Sequence, residues 1–205
     1  MTQKFLFRLN DQALIESVSI PQKSRLTACL STQVGCKFAC SFCASGALGF
    51  KRNLLAYEII AQYLAIKKNV PLHKISNVVF MGVGEPLDNY DNLLRAVRIL
   101  NDPACAHLGI RKMTVSTSGV VPAIDRLSQE GLQLELSVSL HAATDEKRSQ
   151  LLPINQKFPL KTLMKAVKTY MAATKRKVTF EYILLGGFNT TVEDAQSLIR
   201  LARGL

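Results

Sequence analysis

The stretch "CLSTQVGCKFACSFCASG" (residues 29–46) holds four of the five cysteines of this chain: Cys29, Cys36, Cys40 and Cys43. The last three are spaced C-x3-C-x2-C. Three thiolates so placed can each hold one iron of a cubane 4Fe–4S cluster, leaving the fourth iron without a protein ligand and open to a small molecule. A structural zinc site closes on four ligands and fits less well. A ferredoxin run is C-x2-C-x2-C and supplies a fourth cysteine. Accidental clustering is the remaining alternative. Cys29, seven residues before Cys36, reads on its own as a small buried hydrophobe.

Outward from this loop the pattern alternates. Residues 4–9 and 13–20 flank a polar turn at Asn10–Gln12 and predict a β-hairpin. Residues 25–31 predict a strand leading into the cysteines. A helix follows over 55–68, where Leu55, Ile59, Tyr63 and Ile66 recur at helical spacing. Strands are then predicted at 75–82, 112–118, 132–140 and 177–185. Helices are predicted near 89–101, 120–130, 160–173 and 191–203. Strands alternating with helices imply parallel βαβ units. A full eight-fold barrel needs about 250 residues, so the expected fold is α/β, a partial (β/α) TIM-like barrel. The expected division is residues 1–22 as an N-terminal hairpin extension and 23–205 as the partial barrel.

Period-two alternation predicts which strand faces are polar. Leu132, Leu134, Leu136, Val138 and Leu140 should pack under helices, turning Glu135, Ser137 and Ser139 toward a lumen, with His141 continuing that face. Thr114, Ser116 and Ser118 oppose Met113 and Val115, and Thr179 and Glu181 oppose Val178 and Phe180. Sites in such folds lie at the C-terminal strand ends, which brings Ser116, Ser139 and His141 together.

The bulk numbers bound the partners. The 205 residues suffice for one domain with a full core. Hydrophobic content of 48% excludes a disordered tail. No apolar run reaches the length of a membrane span, and the N-terminus lacks a signal-peptide stretch. A cytoplasmic protein without membrane contact is expected. Clustered cysteines in a reducing compartment point to metal or redox chemistry. The net charge of +11 favours a polyanionic partner.

The cysteine loop, placed between a strand and a helix with Phe42 before its last cysteine, resembles the radical S-adenosylmethionine (SAM) superfamily. "MGVGEP" (81–86), after the second barrel strand, occupies the place of that superfamily's Gly-Glu-Pro SAM motif. The match narrows further. "GFKRNL" (49–54), "VVFMGVGEPLDNYDNLLRAV" (78–97), "VSTSGVVPAIDRL" (115–127), "SLHAATDEKRSQLLPIN" (139–155) and "VTFEYILL" (178–185) resemble the RlmN/Cfr family of RNA methyltransferases, over nearly the whole chain.

The resemblance implies two cofactors, one 4Fe–4S cluster held by Cys36, Cys40 and Cys43, and SAM. It implies SAM contacts at Gly84, Glu85, Ser116, Ser139, Leu140 and His141. It implies catalytic roles for Glu16, as proton acceptor, and for Cys29, which resolves a covalent protein–RNA link through a transient disulfide. Without it, Glu16 is an exposed hairpin residue. The implied reaction is methylation of an adenine carbon in 23S rRNA, with tRNA as a further candidate substrate, and an electron donor such as flavodoxin as partner. Carbon 2 is favoured over the carbon 8 of Cfr-like resistance enzymes. The family's methyl-carrying cysteine corresponds to no cysteine of this sequence, so the chain is expected to be a catalytic middle cut at both ends. Cys105 reads as incidental. A glycyl-radical activase shares the cluster loop but leaves Cys29 and "SLHA" without a role. A non-enzymatic iron–sulfur or zinc RNA-binding module leaves the polar lumen and the Gly-Glu-Pro stretch without one.

Overall fold

The structure is a computed structural model and describes residues 1–70, 74–203 and 205. The expected hairpin forms from β1 (Gln3–Arg8) and β2 (Leu14–Gln22), with Arg8 opposite Leu14. β3 (Arg25–Cys29) pairs antiparallel with β2. A ribbon of β4 (Gln33–Gly35) and β5 (Phe50–Asn53) then brackets the cysteine loop and the one-turn helix α1 (Ala44–Ala47). The βα units follow: α2 (Ala56–Asn69), β6 (Ile75–Phe80), α3 (Tyr90–Asn101), β7 (Met113–Thr117), α4 (Val121–Ser128), β8 (Glu135–Ser139), α5 (Asp145–Leu151), α6 (Leu160–Thr174), β9 (Val178–Glu181) and α7 (Val192–Ala202).

Seven strands make one sheet in the order β1-β2-β3-β6-β7-β8-β9. Its last five strands run parallel, as the alternation predicts. The hairpin is hydrogen-bonded into the same sheet, so pairing continues across residues 22 and 23. No described helix is long and apolar enough to cross a membrane.

The core lies between the sheet and its helices. Val78 and Phe80 of β6, Met113 and Val115 of β7, and Leu136 and Val138 of β8 are buried there. They meet Leu93 and Val97 of α3, Ile124 of α4 and Leu163 and Val167 of α6, which recur at helical spacing. Tyr170 on α6 is fully buried because its hydroxyl donates to the Leu134 carbonyl (2.8 Å).

All five predicted barrel strands are shortened, β8 and β9 the most, and β4, β5, α1 and α5 are added. β8 and β9 are shorter than 132–140 and 177–185, because alternation continues beyond the residues that find ladder partners. Leu134 and Leu140 are buried outside β8. The β4–β5 ribbon and the polar helix α5 lack the apolar period that would announce them.

Candidate active site

Register places four of the expected residues, Glu16, Cys29, Ser116 and Ser139, on one sheet face. In one row Val18, Cys29, Val79, Thr114 and Glu135 stand side by side across β2, β3, β6, β7 and β8. Ser116, Ser137 and Thr179 form the next row, and Ser139 pairs with Glu181 beyond it. Partners in register share a face, so Cys29, Ser116 and Ser139 look out on the side away from the helices. Glu16 shares that face, two residues from Val18 on β2. The Ser137 hydroxyl reaches the Glu181 carboxylate at 3.0 Å. Those of Ser116 and Ser139 are half-buried and have no protein partner among the described residues, so they are free to bind a ligand.

The cysteine loop is closed at both ends. The Cys36 amide donates to the Gly49 carbonyl (3.0 Å), and the Cys43 amide donates to that of Cys40 (3.0 Å). Gly35 has φ +75°, and a Cβ there would lie 1.7 Å from the Gly49 oxygen, so only glycine fits this closure. From outside, the Ser41 amide donates to the Leu151 carbonyl at the end of α5 (3.0 Å). Phe38 and Cys40 pack on Leu151, Leu152 and Ile154.

The thiols are partly buried and close enough to repel one another as anions. Burial, with the charges of Glu85, Cys43 and Asp88, pushes the Cys36 thiol up. Burial, then Cys36, Cys43 and Glu85, pushes the Cys40 thiol up to about 12. Three such thiolates need a cationic metal centre to coexist. Among the described residues, no three His, Cys, Asp or Glu side chains converge on a single ion. Thiolates that each hold a different iron need not converge, so the donor set fits a cluster.

The Gly-Glu-Pro stretch is a close backbone crossing. The Gly82 amide donates to the Leu30 carbonyl (3.1 Å), and Thr32 and Gln33 donate to the Val83 carbonyl. A Cβ on Gly82 would meet Ser31 at 2.6 Å; one on Gly84, at φ +109°, would meet Gln33 at 2.6 Å. The Gln33 side chain accepts from the Glu85 amide (2.8 Å) and donates to Asn53 and Asp88. The buried Glu85 carboxylate is held by protein donors. It accepts from the Ser118 amide (2.7 Å) and hydroxyl (2.8 Å), and from the Leu87 amide (3.1 Å). Burial pushes its carboxyl up, against those hydrogen bonds. Glu85 thus ties the end of β6 to the end of β7.

His141 sits just past β8 at φ +56°. Its Nδ1 accepts from the Ile183 amide (3.1 Å), so Nε2 carries the proton. Phe42 meets its ring edge-on, with centroids 4.7 Å apart. Burial, helped by the Arg148 cation, holds His141 down at about 4, which keeps the imidazole neutral. Leu140 is buried, and its amide is taken by the Glu181 carbonyl (3.0 Å).

Cys29 is buried at the end of β3, and burial pushes its thiol up. All five cysteines are free thiols, so the expected disulfide has no counterpart among the described residues. Glu16 is exposed and pairs with Lys4 at 2.9 Å. It lines a groove of about 720 Å³ between hairpin and cysteine loop, with Leu6, Leu14, Leu48 and Lys51. The sequence reading missed Gln33, Gln62 and Arg148. Gln62, on α2, accepts from Ser17 and from the Ser31 amide (2.8 Å) and donates to the Ser31 carbonyl (3.0 Å). Ser31 Oγ in turn accepts from the Val83 amide (2.8 Å) and donates to the Glu16 carbonyl. Polar residues such as these, on a helix or a three-residue strand, carry no sign in the sequence that they are buried.

Comparison with known proteins bears on this geometry. The Radical SAM superfamily profile matches residues 30–202. The chain belongs to the radical SAM superfamily. It is 50% identical, over its whole length, to a probable dual-specificity RNA methyltransferase RlmN of Syntrophomonas wolfei, covering 60% of that protein. It is 47% identical to the protein of the same name from Thermotoga neapolitana, covering 59%. A crystal structure of a radical SAM methyltransferase from Sphaerobacter thermophilus superposes with a TM-score of 0.97 at 46% identity, over all of this chain and 60% of that one. The radical SAM chain therefore has the partial-barrel α/β fold expected. It spans about three fifths of the length of these relatives.

Proposed function

We propose that this chain is the catalytic core of an RlmN-type enzyme that methylates carbon 2 of an adenine in 23S rRNA, and in tRNA. The observation that supports this reading is register: Glu16, Cys29, Ser116 and Ser139 share one sheet face, and the cysteine loop follows directly on β4. In this reading residues 1–22 extend the barrel of residues 23–205 and bring Glu16 to its mouth. The enzyme works in the cytoplasm and takes electrons from a donor such as flavodoxin.

Cys36, Cys40 and Cys43 would hold the cluster, which when bound supplies the electron that cleaves SAM. The chain's own residues bind and orient. Gly82 and Gly84 let this loop pass close against Ser31 and Gln33, where any side chain would collide. Glu85 and Ser118 fix the ends of β6 and β7. The hydroxyls of Ser116 and Ser139 offer hydrogen bonds to SAM, and neutral His141 offers one from Nε2. Cys29, protonated in its buried site, waits on the lumen face for its turn as resolving thiol. Glu16, at the groove, accepts a proton from the substrate adenine.

The test is anaerobic reconstitution with iron and sulfide, reduction with SAM present, and assay of 5′-deoxyadenosine. Product should form with the wild-type chain and vanish with Cys40→Ala. A chain loaded with four irons that leaves SAM intact would sink the reading. Methyl transfer is then assayed on adenine-containing 23S rRNA and tRNA fragments.

A further inference from the structure

Arg148 is the largest fully buried side chain among the described residues, and it has no acidic partner within ion-pair distance there. Its guanidinium is spent on neutral acceptors. Nη2 donates to the carbonyls of Ser118 (2.7 Å) and Ser139 (3.0 Å), Nε to that of Leu140 (3.2 Å), and Nη1 to Asn155 Oδ1 (2.9 Å). Burial of an unpaired cation carries a desolvation penalty, and a packed hydrophobe would spare it. No carboxylate among the described residues lies within ion-pair distance of the charge, which therefore calls for a further anion. The anion at hand is at the cysteine loop. Arg148 lies on α5, whose last residue takes the Ser41 amide and packs on Cys40. Asp145, at the start of α5, reaches the guanidinium only through Asn155, whose Nδ2 donates to its carboxylate at 3.0 Å. On the other side Leu140 leads directly to His141, whose ring meets Phe42 of the cysteine loop at 4.7 Å.

We propose that Arg148 is the buried counter-charge of the cluster, a positioning residue that eases its reduction. This rests on the cluster reading above. A cubane with three thiolates is a net anion and becomes more negative on taking one electron from an external one-electron reductant, with no bond made or broken. A fixed cation beside it favours the reduced form. The same fork holds the carbonyls of Ser118, Ser139 and Leu140, so one side chain sets both the charge at the cluster and the spacing of the strand ends that face SAM.

The experiment measures the midpoint potential of the reconstituted cluster by EPR-monitored titration, with iron content determined in parallel. Arg148→Met should move the potential to more negative values, lowering the reduced-to-oxidised ratio at a fixed potential on the order of tenfold. Arg148→Lys should keep the potential near wild type while raising the KM for SAM, because it keeps the charge and loses the fork. A second route keeps the arginine: exchanging Asp145→Asn with Asn155→Asp moves a carboxylate onto Nη1 without changing net charge. That exchange should shift the potential as Arg148→Met does, and it decides the matter if the methionine variant does not fold. Wild-type potentials in fully loaded Met and exchange variants would overturn the proposal. A wild-type chain that takes up no iron would instead sink the cluster reading, and the proposal with it.

Discussion

Gly84 is demanded by backbone geometry: φ is +109° and Gln33 already fills the space of a Cβ. Gly84→Ala should destabilise the fold by about 1–3 kcal/mol and displace Glu85 from Ser118. A lower melting temperature with weakened SAM binding by calorimetry checks this; an unchanged pair would show that the loop yields freely. His141 gives a pH prediction. Its value near 4 lies below the ordinary 6.5. The unfolded chain therefore binds the proton first, and stability should fall as pH drops from about 6.5 toward 4. His141→Asn, which tolerates left-handed backbone, should flatten that part of a melting-temperature profile. Equal slopes in the two proteins would place the titration elsewhere. At this scale the cysteines and the Gly-Glu-Pro stretch are legible in sequence because their spacing is itself the chemistry. Gln33, Ser118 and Arg148 act through tertiary contacts 30 or more residues away in sequence for their key partners, which no local pattern encodes.

Among the elements, the ribbon and α5 do what periodicity does not announce. The β4–β5 ribbon cinches the loop at Gly35, and α5 with the residues after it gives the loop a floor at Leu151, Leu152 and Ile154. Gly35→Ala should open the ribbon and cut iron incorporation severalfold while the far side of the sheet stays folded, read as iron per chain beside an unchanged far-UV spectrum. Leu152 is wholly buried, and Leu152→Ala should cost about 2–5 kcal/mol in chemical denaturation. A cost below about 1 kcal/mol would mean that the floor collapses to fill the gap. The long helices α2, α3 and α6 fall within a residue or two of their predicted bounds, since three or four turns of apolar repeat are hard to misread. Strands of three and four residues and a helix reading DEKRSQL leave no such trace.

For the whole molecule, charge and shape bear on the proposed RNA substrate. Lys and Arg number 26 against 15 Asp and Glu. Many of the acids are already tied up: Asp11 and Glu58 by Arg52, Asp88 by Lys37, Glu130 by Arg98, Asp194 by Lys147. The surplus is thus cationic, while the groove between hairpin and cysteine loop is lined largely by apolar residues. Leu6, Leu14 and Leu48 line the groove that Glu16 shares, and Lys4 and Lys51 stand on its lining. A nucleobase suits those leucines and a phosphate suits the lysines. RNA affinity should therefore fall steeply with salt. If roughly four phosphates are neutralised, raising salt from about 50 to 200 mM should weaken binding on the order of a hundredfold. Lys51→Glu should lower the slope of log affinity against log salt, whereas a charge reversal at Lys168 on α6, on the helix side of the sheet, should leave it nearly unchanged. Equal slopes for the two variants would mean that the charge attracts RNA without directing it to this groove.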